Sequence, residues 1–124
     1  MSKKKNSALS SKLAEVVVYG MQEKKGQEIV KLDMREVNAT ISDYFVICHA
    51  DSGIQVNSIA KSVEEEVYKA FGQDPWRKEG HENGEWILLD FVDVVVHIFK
   101  TEKRDHYRIE DLWGDAKVET YQSA

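Results

Sequence analysis

The run Trp86-Ile87-Leu88-Leu89-Asp90-Phe91-Val92-Asp93-Val94-Val95-Val96-His97-Ile98-Phe99 constrains the fold more than any other part of the chain. It reads as two adjacent strands joined by a tight turn. With a two-residue loop at Phe91-Val92, Asp90 pairs with Asp93, Leu89 with Val94, Leu88 with Val95, Ile87 with Val96 and Trp86 with His97. Side chains alternate between faces. Ile87, Leu89, Val94, Val96 and Ile98 then share an aliphatic face, while Trp86, Leu88, Asp90, Asp93, Val95 and His97 share the other. Burying each aliphatic side chain is worth roughly 1.5–3 kcal/mol, so a one-residue slip is strongly opposed. The face bearing Trp86 has two readings. It is a docking surface, since tryptophan is a typical hot spot, or Trp86 lies under a later helix and closes the core.

At 124 residues the chain suits one domain. Its apolar runs are shorter than a membrane span. The start, Met1-Ser2-Lys3-Lys4-Lys5, lacks the apolar stretch of a secretory signal. The single cysteine, Cys48, fits a reducing cytoplasm and excludes an internal disulfide. Lys and Arg number 17 against 22 Asp and Glu, a net charge of −5. That balance disfavours general nucleic-acid binding, which needs a basic face, and favours a basic protein partner.

The expected organisation is a basic tail over residues 1–7, a domain over 8–114 and a loose tail over 115–124. Leu9, Leu13, Val16, Val17 and Met21 mark a helix stopped near Gly26. Strands follow at Glu28–Asp33 and Asp43–Cys48, separated by a turn at Asn38-Ala39, and are expected to pair. Ser52 and Gln55 suggest a capping box. The helix after it carries Val56, Ile59, Ala60, Val63, Val67, Ala70 and Phe71 on one face and ends at Gly72. Asp74–Glu79 suits a short strand, and Gly80–Glu85 a loop. Arg104–Trp113 reads as a short helix with an aromatic end.

Motifs for chemistry are missing. The chain has no phosphate-cradling glycine loop and no nucleophile elbow. His49, His81, His97 and His106 lack metal-ligand spacing. Cys48 reads as a buried strand residue rather than a nucleophile. Asp43, Asp90 and Asp93 would be the residues of an alternative, nucleotidyltransferase-like enzyme using magnesium, but the aspartates at the turn are equally explained as turn-flanking groups. A non-enzyme without cofactor is the favoured reading.

Several segments in order resemble one family: Ile41-Ser42-Asp43-Tyr44-Phe45-Val46-Ile47-Cys48, Gln55-Val56 with Ile59-Ala60, Trp86 to Asp90, Asp93 to His97, and Arg104, Tyr107, Glu110, Leu112 and Trp113. Together they resemble the ribosomal silencing factor, or Iojap-like, family across about residues 8–114. The resemblance implies a small α+β domain, a mixed sheet flanked by helices, with a nucleotidyltransferase-like shape that lacks the catalytic motif. It implies a translational repressor in the cytoplasm. Such a factor binds protein number fourteen of the large ribosomal subunit and blocks joining of the small subunit. It also implies homodimers when free. Trp86, Asp90, His97, Arg104, Tyr107, Glu110 and Trp113 match the family pattern and are candidate partner contacts or their supports. Members commonly carry glycine in the hairpin turn, where this chain has Asp90-Phe91-Val92-Asp93.

Overall fold

The computed structural model describes residues 3–36, 42–80, 84–107 and 116–123, with side chains over 9–36, 42–80, 84–104 and 116–123. The elements are α1 (Lys3–Glu23), β1 (Gln27–Asp33), β2 (Tyr44–Ala50), α2 (Gly53–Phe71), β3 (Arg77–Glu79), β4 (Trp86–Asp90), β5 (Val94–Lys100), α3 (Thr101–Tyr107) and β6 (Lys117–Tyr121). The strands form one sheet in the order β3-β4-β5-β2-β1-β6. Strands β2 and β5 run parallel, and the other neighbours are antiparallel. This is the expected α+β domain with a mixed sheet.

The two long helices lie against one face. There Leu13, Val17 and Met21 of α1 and Val56, Ile59, Val63 and Val67 of α2 meet Ile87, Leu89, Val94, Val96 and Ile98 of the hairpin, all buried. The helices approach closely at Gly20, where a Cβ would lie 2.9 Å from Val63 Cα. Ser62 Oγ donates to Gly20 O at 2.8 Å, so its buried hydroxyl is satisfied. The expected cap of α2 forms, with Ser52 Oγ accepting from Gln55 N at 3.1 Å. The reciprocal half of the box does not: Gln55 Nε2 donates instead to Lys24 O. Gly72 ends the helix in the left-handed conformation.

Both expected tails require correction. Helix α1 begins at Lys3, inside the segment read as a tail. Lysine is a good helix former, and extending a packed helix costs little compared with nucleating one. The C-terminal segment forms β6, antiparallel to β1. Lys31 explains why. Buried in β1, its ammonium meets Glu119 Oε1 of β6 at 2.9 Å and lies over the Tyr44 and Tyr121 rings. A buried ammonium needs such partners, and the weak apolar pattern of 115–124 hides the need. The turn expected at Asn38-Ala39 lies outside the described residues, as does most of the loop after Gly80.

The hairpin keeps its two faces but not its register. Trp86 pairs with Phe99, Leu88 with His97 and Asp90 with Val95. Pairings move by two residues, which preserves the alternation. Phe91 leaves the loop, bonds Val94 O through its N–H at 2.9 Å and is 1% exposed. The loop becomes Val92-Asp93. Val92 takes φ 75°, and Asp93 N donates back to Phe91 O at 3.0 Å, a γ-turn. The magnitudes explain the choice. Burying a phenylalanine is worth roughly 1.5–3 kcal/mol, whereas a left-handed L-residue costs roughly 1–2 kcal/mol.

Val92→Gly should therefore stabilise the fold. Relief of about 1–2 kcal/mol, less about 0.4–1 kcal/mol for the freer unfolded chain, leaves a net gain of about 0.5–1 kcal/mol in urea unfolding. A lower unfolding midpoint would show that the turn is not strained.

The docking of β6 should depend on pH. Burial pulls Lys31 down, but its hydrogen bonds to Glu119 and Tyr121 outweigh this and raise it. The same hydrogen bond from Lys31 lowers Glu119. A lowered carboxyl stabilises above the ordinary carboxylate range and loses that contribution as pH falls through its folded value. A raised ammonium stabilises below its ordinary range and loses it as pH rises through its folded value. Amide exchange in β6, corrected for intrinsic rate, should be slowest between these limits and quicken in acid. Glu119→Gln should remove the acid dependence.

Candidate docking face

The second face of the sheet gathers side chains from three strands. Parallel pairing sets Phe45 beside Val95, Ile47 beside His97 and His49 beside Phe99. The hairpin adds Trp86, Leu88 and Asp90. Phe99 and Ile47 are fully buried in a second, smaller core with Val30, Leu32, Met34 and Ala116, and Phe45 and Trp86 pack against it. Phe45, Trp86, Leu88, Asp90 and Val95 remain partly exposed. Apolar and polar groups thus share a rigid, half-solvated surface.

Trp86 and His97 are coupled. Trp86 Nε1 donates to His97 Nδ1 at 3.2 Å. An indole N–H only donates, so Nδ1 is the acceptor and a neutral His97 carries its proton on Nε2. Trp86 also stacks on His97 and Phe99, with centroids 5.9 and 5.4 Å apart. The expected direct pairing of Trp86 with His97 is therefore a diagonal one, reached because Phe99 takes the opposite position. Trp86 packs against the second core and stays partly exposed.

Asp90 stiffens the end of the hairpin. Its Oδ1 accepts from Val92 N at 2.8 Å, and its Oδ2 lies 3.7 Å from the Arg77 guanidinium. Arg104 is buried rather than presented outward. Its Nη1 donates to Glu28 O at 2.7 Å and lies 3.0 Å from His49 Nδ1. Guanidinium groups have no acceptor, so His49 Nδ1 receives that bond. Arg104 thereby ties α3 to β1 and β2. The Tyr107 backbone ends α3, while its side chain, and all of Glu110 and Trp113, lie outside the described residues.

The aspartates of the enzyme alternative do not converge. Asp43 turns toward α1, where its Oδ2 accepts from Ser10 Oγ at 2.6 Å. Asp90 faces the opposite side of the sheet. Asp93 contributes its backbone carbonyl, which accepts from Asp43 N and Tyr44 N. Among the described residues no three His, Cys, Asp or Glu side chains are grouped to hold a metal ion. Burial pushes the Cys48 thiol up to about 12, far above the range of an activated nucleophile.

Phe45, Leu88, Phe99 and His49 complete the face without having been singled out as site residues. Their signal was the period of two in each strand; the parallel pairing that aligns those periods is not visible in one sequence.

A family described as "Ribosomal silencing factor during starvation" matches residues 7–124. The chain belongs to the ribosomal silencing factor family. A ribosomal silencing factor from Halalkalibacterium halodurans is 38% identical over 107 residues, covering 86% of this chain and 90% of the relative. A crystal structure of a Chromobacterium violaceum protein superposes with a TM-score of 0.78 at 36% identity, covering 84% of this chain and 85% of that one. A more distant mouse relative, named mitochondrial assembly of ribosomal large subunit protein 1, is 32% identical over 75 residues, 58% of this chain and 32% of the relative.

Trp86→Phe tests the coupling within it. Phenylalanine keeps the stacking but removes the N–H donor to His97, and should cost about 1 kcal/mol in urea unfolding. Combining it with His97→Phe should recover part of that loss, because both members of the bond are then gone. Equal losses for wild-type and Trp86-variant backgrounds on changing His97 would show that the two side chains are not coupled.

Proposed function

We propose that this protein represses translation by occupying the large ribosomal subunit where the small subunit must join. The observation that carries the reading is membership of the silencing-factor family over nearly the whole chain. The second face supplies the docking surface, with Trp86, Phe45 and Leu88 as its apolar part and Asp90 as its acidic rim. Protein number fourteen of the large subunit is the direct partner. The net charge of −5 supports a basic protein partner over bare RNA, because an acidic surface is repelled by phosphates.

The mechanism is mutual exclusion in the cytoplasm and requires no catalytic step or cofactor. Partly exposed aromatics with fixed rotamers bind with little loss of side-chain entropy. The stacked Trp86-His97-Phe99 cluster is preorganised in this sense. Arg104 and His49 hold α3 against the sheet and so preserve the surface beside them. Free copies associate as homodimers.

Co-sedimentation provides the test. The protein should bind isolated large subunits one to one and should not bind assembled ribosomes. Adding it before small subunits should block their joining; adding it afterwards should not. Equal binding to both particles would defeat the occlusion mechanism.

A further inference from the structure

Strand β6 ends the sheet. Among the described elements it pairs only with β1, so the backbone groups along its other side meet no strand. Lys117, Val118, Glu119 and Thr120 are all exposed. An open edge of this kind is a template for another strand unless it is short, bulged or broken by proline. The opposite edge, β3, is blunted: it has three residues, with Pro75 shortly before it and Gly80 directly after. Strand β6 has five residues, no proline and an unbroken register against β1. Its charges are of both signs, and their spacing suits a second copy of the same strand.

Symmetry limits how two copies can meet there. Antiparallel pairing of identical edges puts a twofold axis perpendicular to the sheet, so both copies keep their helices on one side. Residues directly opposite each other then point the same way, and only residues of the same parity can pair. An axis at Glu119 sets two carboxylates against each other, and an axis at Lys117 sets two ammoniums together. An axis at Val118 sets Lys117 opposite Glu119 of the second copy, and Ala116 opposite Thr120. Unlike charges across a strand pair stabilise it and like charges oppose it, so the Val118 register is preferred.

The side chains fit that register. Glu119 makes both of its described bonds through one oxygen: Oε1 lies 2.9 Å from the Lys31 ammonium and accepts from the Tyr121 hydroxyl at 3.1 Å. Its other oxygen is left for a second cation. Lys117 stands opposite Asp33 in the ladder and makes no ion pair among the described residues. Val118 stands opposite Leu32, on the side of the second core, and is 57% exposed. Two such side chains meeting at the axis would extend that core across the junction and leave water.

We propose that β6 is the edge through which two copies of this chain associate, paired antiparallel about Val118 so that one sheet runs through both. This rests on the reading that free copies form homodimers.

Sedimentation equilibrium of the full chain, with thiol cross-linking, tests it. A strand edge is a small interface, so dimers should dissociate at roughly micromolar concentrations or above. Val118→Lys puts two ammoniums at the axis and should weaken association about tenfold or more. Val118→Cys should form a covalent dimer on mild oxidation with diamide. Its Cβ atoms would lie roughly 4.5–5.5 Å apart, and the natural Cys48 is buried. Thr120→Cys is the control for register. It lies two residues from the axis in each copy, so its thiols would stand roughly 13 Å apart and should stay unbridged. A wild-type dimer with no cross-link at Val118→Cys, or with equal cross-linking at Thr120→Cys, overturns this inference alone. So does a Val118→Lys variant that associates as tightly as the wild type. A wild type that stays monomeric at roughly 1 mM overturns the homodimer reading and this inference with it.

Discussion

The parallel ladder between β2 and β5 is the interaction on which the rest depends. It joins Tyr44–Ala50 to Val94–Lys100, segments separated by α2, β3 and β4. On one side it aligns Val46, Cys48 and Ala50 with Val96 and Ile98, the floor on which α1 and α2 pack. On the other it aligns Phe45, Ile47 and His49 with Val95, His97 and Phe99. The helix-side core and the second face are two sides of the same ladder. A change that slips this pairing would exchange them, because side chains alternate with a period of two.

Polar groups on the second face are coupled to its packing. Two buried imidazoles accept hydrogen bonds at Nδ1, one from the Trp86 indole and one from the Arg104 guanidinium. Each bond fixes a ring orientation and a tautomer, and each links a strand to a neighbouring element. Trp86 belongs to this network as well as to the surface. Its indole stacks on Phe99 and His97, and the residue remains partly exposed.

The hairpin turn shows the same division of labour. Burial of Phe91 sets the register, and the cost appears at Val92 as a positive φ. Ser42 Oγ donates to Val92 O, the Asp90 carboxylate accepts from Val92 N, and the Asp43 and Tyr44 N–H groups donate to Asp93 O, and together these bonds hold the turn in place. The end of the hairpin is consequently held on several sides, and β3 joins it at Arg77, opposite Asp90.

Local pattern alone determined much of this protein. The aliphatic alternation of Ile87, Leu89, Val94, Val96 and Ile98, the helical stripe from Val56 to Val67 and the Ser52 cap were legible because each depends on neighbours close in the chain. Trp86, Asp90 and His97 could be put on one face for a related reason, since they share strand parity. Tertiary structure decided what parity could not. The shift of the hairpin by two residues follows from space for Phe91 in a core that the sequence does not display. The internal role of Arg104 follows from His49 and Glu28, 55 and 76 residues away. The tail became β6 because a buried Lys31 requires an anion and aromatic rings, a need set by the depth of β1 in the fold. Interactions between neighbours can be read from a single chain; those that depend on what lies across the sheet exist only once it has folded.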